Sequence, residues 1–429
     1  MKPVLQLALD FVDMARAVKI AESALPAGVD WLEAGTPLIK SEGLDAVREL
    51  RRRFPKSTIV ADMKIMDTGR IEVETAAKAG ANIIDVLGAA SDATVSECVA
   101  AGKNYGAGII ADLINVRDAV KRAAELEKLG VHYVAVHTSI DRQMHAEKPF
   151  AELSRICRTL RIPVAAAGGI NSETAAQAVK SGAAILIVGG AITKSENPFK
   201  AAREIRRAMD TGRPKKTVLY KRVEGGDIIS VLKKVSVANV SDAMHRQGVI
   251  PGICPVGMGF KMAGRVVTVR SYPGDWAKPV EAIDIAREGD VIVIDTGGVG
   301  PAVWGELATH SAIRKKLAGV VINGAIRDAG EIRRLKFPAF SRLIVPDAGE
   351  PRGVGEINVP LLISGIRIEP GDWITGDDDG VVVIPQDKAT EFANRAMDVL
   401  EKENRIRKEI ADGGTLSSVM ELLKWEKKR

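Results

Sequence analysis

Ala61-Asp62-Met63-Lys64-Ile65-Met66-Asp67-Thr68-Gly69 decides the reading of the first half of this 429-residue chain. A short β-branched run, Thr58-Ile59-Val60, leads into it, and a helix-like segment from Ile71 to Ala79 follows. Alternation along a strand puts Asp62 and Lys64 on one face, while Asp67 falls just past the strand end, where the chain turns. Two carboxylates and an ammonium crowded at the mouth of a strand are costly to hold together without a task. A salt-bridged strand end would look the same, so the surrounding sequence has to discriminate.

Outward from this stretch, residues 1–212 alternate short apolar runs with amphipathic segments of helical length. Strands are predicted at Val4–Asp10, Trp31–Ala34, Thr58–Lys64, Asn82–Gly88, Gly108–Leu113, His132–His137, Pro163–Ala167 and Ala184–Val188. A helical pattern follows each, the last over Pro198–Asp210. Eight regular β-then-α units predict an α/β fold, a (β/α)8 TIM barrel; a doubly wound open sheet is the alternative, and the unbroken regularity favours closure. Barrel enzymes place their chemistry at the C-terminal strand ends. Asp10, Glu33, Asp62, Lys64, Asp67 and His137 all fall there.

Gly168-Gly169 and Gly189-Gly190 end the seventh and eighth predicted strands. Glycines there let backbone N–H groups approach an anion, the usual barrel phosphate site, although plain turns also end in glycine. Asn171-Ser172-Glu173 reads as a helix start. Glu33 and Asp62, on adjacent strands, suit one hard cation, Mg²⁺ or Mn²⁺; the bland alternative is a pair held by Lys64 alone. His137 is placed to act as a general acid or base, whereas His132 and His145 read as structural.

Composition sets the outer limits. Hydrophobic residues at 46% and charged residues at 27% are those of a soluble globular protein, and the length predicts two domains. Net charge is +6, but Lys and Arg interleave with acids on helix faces, and aromatics are only 4%, so a nucleic-acid surface is not expected. Arg51-Arg52-Arg53 reads as a helix C-terminus. Cys98, Cys157 and Cys254 have no paired spacing, which argues against a disulfide framework or zinc site. No window approaches the roughly 18 apolar residues of a membrane span, so no membrane partner and a cytoplasmic location are expected.

Thr211-Gly212-Arg213-Pro214-Lys215-Lys216 breaks the pattern and opens a linker over 213–224. Beyond it, a second α/β domain is expected over 225–390, then a charged helical tail over 391–429, read as surface or an oligomer arm. Helices are predicted at Asp227–Val235, Val240–Gln247, Val303–Leu317, Ala329–Leu335 and from about Lys388 to Glu409. Strands are predicted at Met262–Arg270, Asp290–Thr296, Gly319–Asn323, Arg342–Val345, Pro360–Ile363 and Gly380–Ile384. The loop Asp295–Gly300 with Glu306, Arg327 and Asp328 suggests an acid and an Arg-Asp pair meeting over a glycine-lined anion pocket; a plain buried ion pair is the alternative. Asp377-Asp378-Asp379-Gly380 reads as a hairpin turn, since later Ca²⁺-binding acids are missing.

Asp62-x-Lys64-x-x-Asp67, with Asp10 and Glu33, resembles the orotidine-monophosphate-decarboxylase suprafamily. Glu33 is similar to its metal-dependent members, the 3-hexulose-6-phosphate synthases and 3-keto-L-gulonate-6-phosphate decarboxylases. The decarboxylases place arginines where this chain has Ile140 and Ala191, and Val136–Thr138, Asp141–Gln143 and Val188–Thr193 are similar to the synthases. The resemblance implies Mg²⁺ on Glu33 and Asp62, a sugar phosphate and formaldehyde as substrates, and His137 as proton carrier. Lys64, positioned by Asp10 and Asp67, would steady an enediolate. It also implies a homodimer that shares Asp67 across its interface. The alternative is a decarboxylase barrel joined to a non-catalytic regulator.

Residues 225–390 resemble the RraA-like family, which holds ribonuclease regulators and divalent-metal 4-hydroxy-4-methyl-2-oxoglutarate aldolases. Glu306, then twenty residues, then Arg327-Asp328 and Glu331 match the aldolase pattern, with Glu replacing Asp at the first position. The resemblance implies Mg²⁺ at Asp328, an enolate-stabilising Arg327, a trimer with its pocket between subunits, and a ribonuclease partner if the module is a regulator. A dimeric barrel joined to a trimeric module would favour a hexamer.

Overall fold

The computed structural model describes residues 2–138, 150–217, 223 and 227–420. The chain divides into two compact units, Met1–Lys221 with Glu401–Arg429, and Arg222–Leu400.

The first unit is a closed barrel of eight parallel strands: β1 (Val4–Leu9), β2 (Trp31–Ala34), β3 (Thr58–Ile65), β4 (Ile83–Leu87), β5 (Gly108–Asp112), β6 (Tyr133–His137), β7 (Val164–Ala167) and β8 (Ile185–Val188). Leu5, Leu7, Leu32, Ile59, Ile84 and Ile109 point outward beneath the helices. Residues of opposite parity fill the interior, where Val60, Ile83, Ile110, Ala135, Ala165 and Ile185 form an apolar plug. Two residues further along, the inward positions become Asp62, Asp85, Asp112 and His137. Strand periodicity thus stacks a polar layer on an apolar one at the C-terminal mouth. Arg51–Arg53 end the helix Asp45–Arg53, where Glu49 pairs with Arg52 and Arg53.

Alternation alone does not explain Lys64. It is in the left-handed region (φ 47°), and the β3–β4 register shifts between Ala61 and Ile65. A bulge therefore re-aims Lys64 toward Asp62, a common device beside active sites.

The second unit holds one large sheet whose strands run, in spatial order, Gly380–Ile384, Trp373–Asp377, Met262–Ser271, Val291–Asp295, Gly319–Ile326, Ala339–Ile344 and Cys254–Pro255. Its strands are β9 (Cys254–Pro255), β10 (Met262–Ser271), β11 (Val291–Asp295), β12 (Gly319–Ile326) and β13 (Ala339–Ile344), followed by β14 (Gly355–Ile357), which pairs with β10. The short hairpin β15 (Leu361–Ile363) and β16 (Ile366–Ile368) stands apart, and β17 (Trp373–Asp377) turns through Asp378-Asp379 into β18 (Gly380–Ile384). The sequence reading omits β9, β14, β16, β17 and the helix Ala277–Ile285. The helix expected from Val303 starts at Glu306, because the Val303 N–H pairs with the Ala325 carbonyl. That expected from Val240 starts at Val237 under a Ser236–Asn239 capping box.

The expected helical tail is present over the described residues up to 420. Helix Ala389–Ala411 is followed by a turn at Gly413-Gly414 and the short helix Leu416–Val419. Residues from Glu401 onward belong to the barrel unit, where Glu401 and Val419 are buried and Glu409 pairs with Arg16. No helix among the described residues is long and apolar enough to cross a membrane.

Candidate functional site

At the barrel mouth, charged side chains form one connected row. The Lys64 Nζ donates to Asp62 Oδ1 at 2.8 Å and to Asp112 Oδ2 at 3.2 Å. His137 Nδ1 lies 2.7 Å from the same Asp112 oxygen, and the Ile114 N–H donates to Asp112 Oδ1 at 2.8 Å. The other oxygen of Asp62 accepts from the Thr36 N–H and hydroxyl, at 3.1 and 2.6 Å. Gln6 donates its amide to Glu33. Asp10 is tucked against backbone, since a methyl on Gly35 would lie 2.2 Å from its Oδ1.

Five carboxyls (Asp10, Glu33, Asp62, Asp85, Asp112) share the mouth with the Lys64 ammonium and the His137 imidazole, and the Lys194 ammonium acts on Asp10 from the β8 loop. Burial, then the nearby Asp62 and Asp10 charges, push Glu33 well above the usual carboxylate range. Asp85 rises in the same way through burial, Asp62 and Asp112. Asp10 is open to solvent yet closely ringed by protein atoms, and this with the Asp62 charge raises it. Burial would also raise Asp112, but the His137 hydrogen bond and the His137 and Lys64 charges hold it low. Burial works against the Lys64 ammonium, and Asp85, Asp62 and Asp112 outweigh it, so the group stays charged at any working pH.

Among the described residues, Asp85 Oδ1 and Gln6 Oε1 are buried without a hydrogen-bond partner. A surplus of buried oxygen donors is the chemistry of a hard-cation site. Among the described residues, no three His, Cys, Asp or Glu side chains converge as a metal cage. Two carboxylates completed by water and substrate oxygens, the habit of Mg²⁺, suit this donor set better than an all-protein shell.

The structure places Asp10, Glu33, Asp62, Lys64 and His137 at one mouth, and leaves Asp67 outside it. Asp67 is exposed, accepts from the Thr68 hydroxyl at 3.4 Å and lies near Glu72, whose carboxyl is raised by burial and further by the Asp67 charge. Gly168 and Gly169 both have positive φ, and Gly189 caps the turn Gly190–Thr193; the two pairs end neighbouring strands. Asn171 opens the next helix through an Asx turn to the Glu173 and Thr174 N–H groups. His132 Nδ1 accepts from the Ile109 N–H, a structural role. Ile140, Asp141–Gln143 and His145 lie outside the described residues. Asp85 and Asp112 are the residues the sequence reading missed. Their signal was available: each stands two positions after a plug residue, as Asp62 does after Val60.

In the second unit, β12 runs out into Arg327, and Asp328 adopts φ 58° before the helix Ala329–Arg334. The Glu306 N–H donates to Asp328 Oδ2 at 3.0 Å, and Arg327 Nε is 3.6 Å from the same oxygen. Two expectations need correction. The Glu306 carboxylate turns to His310 (3.7 Å), and Glu331 pairs with Arg334 (2.5 Å), so the acids do not converge within one chain. The glycine loop is not an open anion cradle at Gly297 and Gly298, whose N–H groups bond to Asp295 and to the Asn323 carbonyl.

Comparison with known proteins matches residues 3–205 to the "Orotidine 5'-phosphate decarboxylase / HUMPS family" and residues 237–383 to "RraA-like: Aldolase/RraA". A 3-hexulose-6-phosphate synthase of Bacillus subtilis is 39% identical over 209 residues, 48% of this chain and 99% of that protein. The Methylomonas aminofaciens synthase is 42% identical, covering 47% and 96%. The crystal structure of 3-hexulose-6-phosphate synthase from Salmonella typhimurium is 34% identical, with TM-score 0.47, covering 50% of this chain and all of that one. These synthases therefore correspond to the barrel half alone. Through its barrel the chain belongs to the orotidine 5'-phosphate decarboxylase / HUMPS family, among its 3-hexulose-6-phosphate synthase relatives, and it carries an RraA-like domain in the same polypeptide.

Proposed function

We propose that the barrel is an aldol-type lyase that condenses formaldehyde with D-ribulose 5-phosphate to D-arabino-hex-3-ulose 6-phosphate, or runs the reverse. The observation that carries this is the His137–Asp112–Lys64–Asp62 row beside Glu33, in a barrel whose relatives bear the synthase name.

Glu33 and Asp62 would hold Mg²⁺ or Mn²⁺. When bound, the cation polarises the ketose oxygens and lowers the cost of forming an enediolate. Ionised Asp112 can only accept, so the neutral form of His137 would carry its proton on Nδ1, and Nε2 is the nitrogen that removes a C1 proton. The C–H electron pair moves into the enediolate, whose charge the Lys64 ammonium offsets. C1 then attacks the formaldehyde carbon, and the proton on His137 passes to the new alkoxide. Gly168, Gly169, Gly189 and Gly190 would receive the phosphate. Asp67, exposed between the exposed Met66 and Ile71, is assigned to the site of a second copy in a barrel dimer. Asp62→Ala should abolish formaldehyde release from the hexulose phosphate. Turnover confined to decarboxylation of 3-keto-L-gulonate 6-phosphate would overturn the synthase reading.

For the RraA-like module the reading is a divalent-metal lyase acting on a 4-hydroxy-2-oxoacid or oxaloacetate. Asp328, half-exposed and beside Arg327, supports it, with neighbouring subunits of a trimer supplying the further acids. Mg²⁺-dependent pyruvate release is the expected result; ribonuclease inhibition without turnover would make the module a regulator instead.

A further inference from the structure

Both glycine loops of the barrel mouth are backed by segments beyond residue 205, where the family match ends. Behind the β7 loop, the Lys215 N–H donates to the Ser172 carbonyl and the Ser172 hydroxyl to the Lys215 carbonyl, each at 2.8 Å. The Thr217 N–H adds a bond to the Glu173 carboxylate at 3.1 Å. Behind the β8 loop, Arg405 Nη1 reaches the Thr193 carbonyl at 3.5 Å, at the end of the short turn that Gly189 caps. Arg405 also pairs with Glu409 (3.4 Å), which pairs with Arg16 on the first barrel helix (2.5 Å), and Arg16 reaches the Val419 carbonyl (3.2 Å).

Between the loops and this backing lies a cavity of about 300 Å³, lined among others by Ala191, Lys194, Asn171, Glu401 and Asn404. The rear support of the β8 loop includes the Arg405 contact to the Thr193 carbonyl.

We propose that residues 401–420 form a brace for the sugar-phosphate subsite, with Arg405 a positioning residue for the β8 phosphate loop. The brace is an addition in this chain to a barrel that its relatives of about half the length complete within residues matching 3–205. It acts on binding of the phosphate end and leaves the His137–Asp112–Lys64 row untouched. This assignment rests on the proposed phosphate role of Gly189 and Gly190.

The test uses the full chain carrying Arg405→Ala, with Arg405→Lys as the conservative variant. Arg405→Ala should raise the KM for ribulose 5-phosphate about two- to threefold, the factor expected of one long hydrogen bond at the weak end of the usual range, with kcat unchanged. Arg405→Lys should recover part of the loss. Amide hydrogen exchange should quicken at residues 189–194 and stay unchanged in β3–β6. An unchanged KM, or exchange that is unaltered or quickened evenly over all eight strands, overturns the brace. Failure of the synthase reading shows separately, as a wild-type chain that turns over no ribulose 5-phosphate, and exchange at 189–194 then still decides the matter.

Discussion

Replacing Asp112 with asparagine would keep the side chain's shape and remove the charge that fixes the His137 tautomer. An amide can present its NH₂ to Nδ1, turning the imidazole into the wrong donor–acceptor sense. Asp112→Asn is expected to lower kcat by about 10²–10⁴, the range of a lost acid–base group, with a much smaller change in KM. Steady-state kinetics check this; a loss under tenfold would remove Asp112 from the proton relay. At this scale the sequence was only partly informative. It named Asp62, Lys64 and His137, but the bulge at Lys64 and the orientation of Asp112 depend on register between strands far apart in the chain.

Among the elements, residues 352–354 of the loop that follows Val345 are gathered by one carboxylate. Asp275 accepts the N–H groups of Ala277 (3.1 Å), Arg352 (3.1 Å), Gly353 (3.3 Å) and Val354 (2.8 Å). Burial opposes its charge, but these backbone donors prevail and hold its pKa below the usual carboxylate value. A depressed folded pKa means stability that is complete above the unfolded value, about 3.9, and lost as pH falls through the folded one. Asp275→Asn should therefore destabilise the second unit by about 1–3 kcal/mol near neutral pH, and the gap should close in acid. Thermal unfolding of both forms from neutral pH downward measures it; a gap independent of pH would contradict the account.

Element prediction succeeded where period two and helical period alternate without interruption. All eight barrel strands lie within about a residue or two of their expected ends, because each apolar run there is bounded by a strong helical pattern. The second unit was harder. β14 and β16 are three residues long and β9 two, too short to show a period, and their places depend on pairing with distant partners. The acids of the second site illustrate the same limit: Glu306 and Glu331 were legible by spacing, and their turn toward His310 and Arg334 was not.

For the whole molecule, the exposed trio Met66, Asp67 and Ile71 carries the dimer proposal. If Asp67 serves a partner's site, inactive Asp67→Ala and His137→Ala chains, mixed and allowed to exchange subunits, should regain activity. Half the dimers would be hybrid, each with one intact site of two, giving about a quarter of wild-type activity. No recovery after verified exchange would put Asp67 back in its own chain's site.

The central claim is carbon–carbon bond formation at the barrel mouth. The most direct measurement is ¹³C NMR of the full chain with ribulose 5-phosphate, ¹³C-formaldehyde and Mg²⁺. The account predicts label at C1 of a hex-3-ulose 6-phosphate, lost when the cation is chelated or Asp62 is replaced by alanine. Formaldehyde that stays unincorporated while the wild-type chain remains folded and Mg²⁺ is present would contradict it.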